Sequence, residues 1–156
     1  NVDGILQKNY PEFKQTHIVE YIPAGGRTYR NTTSARDLTT FYTKLWFDRL
    51  PYTSQMKHYL GLPNRDRIAT STFIPAVKVY DKTGTVYSMV GDSGILLIDA
   101  KEGRKAYIFT GIIEDRTKIN ARNRSTSFSS WVRNRSNILR RVSEKIYQYM
   151  CERELS

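Results

Sequence analysis

Lys82-Thr83-Gly84-Thr85 is the stretch of this chain whose residue types could act in concert. An ammonium, a hydroxyl and a residue without a side chain follow one another on what reads as a β-strand or its end. In acyl transfer through a serine, a strand beside the nucleophile presents backbone N–H groups to the developing oxyanion. A lysine there holds positive potential, assists proton movement and attracts a substrate carboxylate. A glycine gives substrate backbone room where a Cβ would intrude. The competing reading is a strand ending in a Thr-Gly turn with a solvated lysine. Metal chemistry has no support, because His17 and His58 are far apart and neither forms a ligand-spaced cluster with Cys151. A P-loop or dinucleotide fingerprint is missing as well, so no cofactor is expected.

The elements around this stretch set its position. Val77 and Val79 alternate with Lys78 and Tyr80, the period of a strand with one packed face, running to Ser88. Ser93–Asp99 is a short apolar run, Ala100–Gly103 a turn signal, and Lys105–Glu114 a third strand. Short links predict an antiparallel meander. Upstream, Asn1 to Pro11 reads as the tail of a helix. Pro11 to Asn31 reads as a long loop containing Pro23-Ala-Gly-Gly26, with His17–Ile22 extended. Such loops are usually functional or disordered. Ser34 is a good N-cap with Asp37 at N3, where a carboxylate completes a capping box or favours the dipole. Leu38, Phe41, Leu45 and Trp46 then mark one helix face, ending near Leu50-Pro51. Thr53 or Ser54 caps a shorter helix with Met56, Tyr59 and Leu60 inward, stopped by Gly61-Leu-Pro63. Arg65 to Pro75 and Thr117 to Ser127 read as loops. A last helix starts at Ser129 or Ser130. Its apolar stripe of Trp131, Ile138, Val142, Ile146 and Met150, with Leu139 and Tyr149 beside it, is expected to pack on the sheet.

A chain of 156 residues can bury one ordinary core, so one domain or part of one is expected. The longest aliphatic run, Ile95 to Ile98, is far too short to span a bilayer. No signal peptide is visible, and the chain begins with Asn1-Val2-Asp3 rather than Met, as a processed or cut product would. One cysteine excludes an internal disulfide framework. A formal charge of +10 favours anionic partners: nucleic acid, anionic lipid or anionic wall polymer.

Lys-Thr-Gly on a sheet strand is one of three motifs of the penicillin-recognising serine hydrolases, the β-lactamases and penicillin-binding proteins. The order around it also resembles the end of a class A β-lactamase. A strand leads into Lys82-Thr83-Gly84-Thr85, followed by Gly91-Asp92-Ser93-Gly94-Ile95-Leu96-Leu97, a Gly103-bearing turn, a third strand and a long terminal helix. Thr32–Leu38 resembles the helix start after the family's Ω-loop. Arg65-Asp66-Arg67-Ile68 and Ile74-Pro75 resemble the approach to its Lys-Thr-Gly strand. The resemblance implies Lys82 as the site cation, Thr83 as its hydrogen-bonding neighbour, Gly84 as the clearance residue and Thr85 as donor of one oxyanion N–H. The long loop becomes the Ω-loop, the floor of the site.

The chain departs from the family in two places. Ser54-Gln55-Met56-Lys57 has the Ser-x-x-Lys spacing, but only 24 residues separate Lys57 from Lys82 and no Ser-x-Asn lies between. Ser54 also falls after the Ω-loop, where the family has an ordinary helix start, so it reads as a cap. The nucleophile is then expected from a missing N-terminal half or a second chain, and this chain alone is expected to be inactive. In the Glu-x-Glu-Leu-Asn loop motif, Tyr10-Pro11-Glu12-Phe13-Lys14 places Tyr10 at the essential Glu. Glu12 serves as general base only if the loop is re-registered. A penicillin-binding protein is therefore as well supported as a β-lactamase.

The expected fold is α/β of the α+β type: three antiparallel strands, a C-terminal helix packed on them, and helices with an Ω-like loop upstream. The expected layout is the C-terminal portion of one β-lactamase-like domain. Its parts are 1–33 as the Ω-loop-like region, 34–61 as helices, 76–114 as the sheet and 128–152 as the last helix. The substrate implied is a β-lactam or peptidoglycan-like molecule, and the location implied is periplasmic or secreted. A nucleic-acid-binding module is the alternative. Arg116, Lys118, Arg122, Arg124, Arg133, Arg135, Arg140 and Arg141 form a basic region, with Phe128 and Trp131 able to stack on bases. Those aromatics lie on the apolar helix stripe, and RNP, zinc and helix-turn-helix signatures are missing, so nucleic acid is the weaker expectation.

Overall fold

The sheet forms where side chains alternate between two apolar layers. A computed structural model describes residues 1–21, 30–64, 66–69, 74, 76–86, 88–100, 103–115 and 128–155. Its elements in chain order are α1 (Val2–Asn9), α2 (Ala35–Trp46), α3 (Thr53–Leu60), β1 (Ala76–Val86), β2 (Met89–Ala100), β3 (Gly103–Glu114) and α4 (Phe128–Leu155). The strands form an antiparallel sheet in the order β1-β2-β3. Val86 pairs with Met89 and Ala100 with Gly103, so both links are tight hairpins. Gly103 has φ of 106°, a conformation that costs glycine nothing. The meander and fold class follow the expectation. β2 is longer than its apolar run, because Met89 to Asp92 also joins the ladder. Pro23–Gly26, Arg65, Pro75 and the 117–127 loop lie outside the described residues.

Each face of the sheet carries its own core. On one, Ile95 packs with Tyr42 and Leu45 of α2, joined by Tyr80, Ile108, Met56 and Leu60. On the other, Leu96 and Phe109 pack with Ile68 and Ile74, and Val90 packs with Trp131 and Leu139 of α4. Adjacent residues of one strand therefore serve different layers.

Several helix details differ from the expectation. Ser34 does cap α2, its Oγ accepting from the Asp37 N–H at 3.1 Å. The Asp37 carboxylate does not complete a capping box; it accepts from the Gln15 N–H and the Thr16 hydroxyl, both at 2.8 Å, and ties the upstream loop to α2. α2 stops at Trp46, short of Leu50. Asp48 turns left-handed with φ of 54°, while the Asp48 N–H reaches Leu45 O and the Arg49 N–H reaches Lys44 O. This is a Schellman ending on a residue that tolerates that region. α3 starts from a left-handed Tyr52 without a side-chain cap, so Ser54 is not the cap. Tyr59 points outward, while Met56 and Leu60 face the core. α1 runs from Val2 to Asn9, and the Asn1 Oδ1 accepts from the Asp3 N–H at 3.0 Å.

The largest correction concerns α4. Ile138, Val142, Ile146 and Tyr149 are exposed, and the face against the sheet is Trp131, Val132, Ser136, Leu139, Ser143 and Tyr147. Close approach explains the choice. A Cβ on Gly111 of β3 would lie 2.7 Å from a Leu139 methyl, so the helix sits where the strand has no side chain. Small serines permit that approach, and both are used: Ser143 donates to Ile68 O, and Ser136 accepts from the Arg67 Nε. The more apolar stripe would hold the helix further off.

This orientation predicts unequal costs on the two sides of α4. Leu139→Ala, at 4% exposure, lowers unfolding free energy by about 2–5 kcal/mol in urea titration. Val142→Ala, at 45% exposure, changes it by less than about 0.5 kcal/mol.

Candidate active site

β1 carries Lys82, Thr83, Gly84 and Thr85 opposite Ser93, Asp92, Gly91 and Val90 of β2. Alternation puts Lys82 and Gly84 on the α2 side and Thr83 and Thr85 on the α4 side. The Lys82 ammonium is exposed and donates to Thr83 O at 2.9 Å. A Cβ on Gly84 would meet only the Met89 methyl, at 3.9 Å, so packing within this chain does not require a glycine there. Thr85 lines a cleft of about 430 Å³ that opens between the end of β1 and α4. The structure therefore gathers the four residues on one edge strand but splits them between its two faces.

Arg67 builds the wall of that cleft and was not singled out from the sequence as a site residue. It is 8% exposed. Its Nη2 donates to Thr85 Oγ1 at 2.7 Å, its Nη1 to Gly91 O at 2.7 Å and Gly84 O at 3.2 Å, and its Nε to Ser136 Oγ at 2.9 Å. One side chain thus joins β1, β2 and α4 at the position of Thr85. Burial pulls the guanidinium pKa down, with Asp92 acting against it. In the sequence, Arg65-Asp66-Arg67 falls in a stretch that reads as loop with some extended character. The apolar Ile68 beside it was the one local sign of burial.

Two carboxyls lie beneath the strand. Asp81 and Asp92 are buried on the α4 side, diagonal to each other across β1 and β2. Asn64 Nδ2 donates to Asp81 Oδ1 at 2.8 Å, and the Arg67 backbone N–H donates to Asp92 Oδ2. Neither Asp81 Oδ2 nor Asp92 Oδ1 receives a donor from another group among the described residues. Two carboxylates buried near each other disfavour ionisation of both at once. Burial raises both, Asp92 to about 7, and the neighbouring Asp66 adds repulsion. Tyr42, on α2 across the strand, is raised by burial and by the same two carboxylates.

The other candidates lie elsewhere. Glu12 is ion-paired to Lys44 of α2 at 2.6 Å, and that ammonium holds its carboxyl below the usual range, which weakens it as a base. Ser54 is exposed on α3, while Lys57 is taken by Asp48 at 2.9 Å, so the Ser-x-x-Lys pair is not assembled. The upstream loop closes on itself. His17 pairs with Thr32, and the Asn31 side chain accepts from the Val19 and Glu20 N–H groups at 2.8 and 3.0 Å. Among the described residues, no three side chains form a metal-ligand cluster and no helix is long and apolar enough to cross a membrane.

The family model described as "Beta-lactamase enzyme family" matches residues 1–150. The chain belongs to that beta-lactamase enzyme family. Two solved structures of similar fold support the architecture of this family member. The structure of PBP-A has a TM-score of 0.65 and 21% identity, covering 95% of this chain and 51% of PBP-A. The acyl-enzyme complex of a PBP-A mutant with penicillin G has a TM-score of 0.59 and 23% identity, with the same coverage. The beta-lactamase-family chain thus spans about half the length of these structures. No curated protein matches it.

The carboxyl pair makes the stability of this beta-lactamase-family chain depend on pH. A raised folded pKa means the folded state keeps a proton that the unfolded chain releases. The stabilisation is complete below the ordinary carboxylate range and is lost as pH rises toward about 7. Asp92→Asn, which keeps an acceptor for Arg67, removes the share of Asp92 and leaves that of Asp81, whose carboxyl is also raised by burial. Unfolding free energies from urea titration at pH 4 to 8 should decline for the parent relative to the variant, by at most about 1.4 kcal/mol per pH unit.

Proposed function

We propose that this chain forms one wall of an acyl-serine site in a penicillin-recognising serine hydrolase. It is the C-terminal portion of one domain: residues 1–33 carry the Ω-like loop, 34–61 helices, 76–114 the sheet and 128–152 the last helix. The attacking serine comes from a segment outside this chain, an N-terminal half or a second polypeptide. The observation that carries the reading is the placement of Thr85, at the end of an edge strand and at the mouth of a cleft walled by a buried arginine. The Thr85 N–H then stabilises the oxyanion when the serine oxygen adds to the acyl carbon. The Lys82 ammonium holds the field that keeps the serine proton moving toward its base and the leaving nitrogen. Gly84 leaves room for the substrate backbone. Arg67, through its one unassigned Nη2 hydrogen, and the Thr85 hydroxyl hold the substrate carboxylate with single charge-assisted bonds.

The same reading accounts for surfaces that this chain leaves open. The exposed stripe Ile138, Val142, Ile146 and Tyr149 and the outer edge of β3 are where the remainder of the domain covers apolar area and continues the sheet. PBP-A, twice as long, was captured as an acyl-enzyme with penicillin G, which supports a β-lactam or related amide as the substrate class here. A secreted or periplasmic location fits that chemistry. The nucleic-acid reading loses Trp131 as a stacking residue, because it is 3% exposed, and keeps only Phe128.

The test is covalent labelling of the intact protein by a fluorescent penicillin, read by gel and by mass of the adduct. A single acyl adduct is expected, on a serine outside residues 1–156. Lys82→Ala should slow acylation by about 100-fold. No adduct at saturating penicillin overturns the proposal.

A further inference from the structure

Between Asp115 and Glu144 the sequence contains no acidic residue, yet it carries Arg116, Lys118, Arg122, Arg124, Arg133, Arg135, Arg140 and Arg141. Two of these, Arg133 and Arg140, face the same cleft as Arg67, together with Thr85, Ser129 and Ser136. None of the three guanidiniums is within ion-pair distance of a carboxylate among the described residues. Arg67 spends four N–H bonds on neutral oxygens and keeps one Nη2 hydrogen unassigned. Arg140 donates to Asn137 Oδ1 at 3.0 Å and Asp66 O at 3.3 Å, both uncharged acceptors. Arg133 is exposed and makes no polar contact with another described residue.

Three like charges lining one small cleft repel each other, and burying one of them without a counter-ion is costly. Asp92 offsets part of this repulsion at Arg67, and an entering anion offsets what is left at Arg133 and Arg140. One carboxylate at the free Arg67 N–H and the Thr85 hydroxyl leaves the outer pair, Arg133 and Arg140, uncompensated. The cleft volume of about 430 Å³ lies in the range of small-molecule sites. We propose that this cleft takes a ligand with two acidic groups, one held by Arg67 and Thr85 and the second by Arg133 and Arg140. Joined to the proposed function, on which the assignment to substrate rests, this makes the substrate class dianionic: an acyl compound bearing a second carboxylate a few bonds from the first. Arg133 and Arg140 thereby have a role in specificity rather than in general surface charge.

Two measurements on the intact protein separate the two readings. Calorimetric titration with glutarate and with butyrate, at fixed ionic strength, tests the cleft without any acylation. Glutarate should bind about tenfold more tightly, the worth of one additional charged hydrogen-bonded contact. The preference should fall to about one in the Arg133→Gln/Arg140→Gln double variant. Equal binding of the two acids by the parent overturns the proposal, as does a preference that survives in the double variant. The second measurement compares acylation by a penicillin with a side-chain carboxylate and by penicillin G. A faster reaction of the dicarboxylate that depends on the two arginines supports the substrate assignment, and equal rates overturn it. Failure of both penicillins to acylate, with glutarate still preferred, refutes the acyl-serine reading and its dianionic substrate while leaving the dianion site standing.

Discussion

The Arg67 guanidinium is the group through which β1, β2 and α4 meet. A buried cation without a paired carboxylate is tolerated because neutral oxygens satisfy almost all its donors. Those oxygens are fixed in space: two backbone carbonyls of neighbouring strands, a threonine hydroxyl and a helix serine. The side chain therefore sets where the end of β1 lies relative to the helix, and so where Thr85 stands. The backbone of the same residue donates to Asp92, which couples this clamp to the carboxyl pair beneath the strand.

β1 divides its functional residues between two environments. Lys82 emerges on the side of α2, over a layer of Tyr42, Leu45 and Ile95, while Thr85 emerges on the side of α4 at an arginine-lined cleft. On the proposed reading, a substrate lying along the open edge of β1 meets the ammonium on one side and the guanidiniums on the other. An edge strand suits this role, because its backbone groups are not consumed by a further strand.

Much of the fold was legible because its signals are local. The alternation of Val77 to Tyr80, the turn at Ala100 to Gly103, the Ser34 cap and the Gly61 stop are each set by a few neighbouring residues. The end of α2 was missed because a left-handed aspartate can close a helix without the usual glycine. The packed face of α4 was misassigned because apolar content ranks Ile138, Val142 and Ile146 above Ser136 and Ser143. Contact with a sheet is decided by how closely the backbones approach, and there the small residues win.

The amino-acid sequence by itself determined the order of elements, the antiparallel meander and the strand on which Lys82 to Thr85 lie, since hydrophobic period and turn chemistry act over short distances. Only the tertiary structure decided that Arg67, Thr85, Ser136 and Arg140 share one cleft and that Asp81 and Asp92 share one buried space. Arg67 is 69 residues from Ser136, and although Asp81 and Asp92 belong to one hairpin, no local pattern records which of its side chains are buried together. Hydrogen bonding and desolvation acquire their strength only when packing has closed water out.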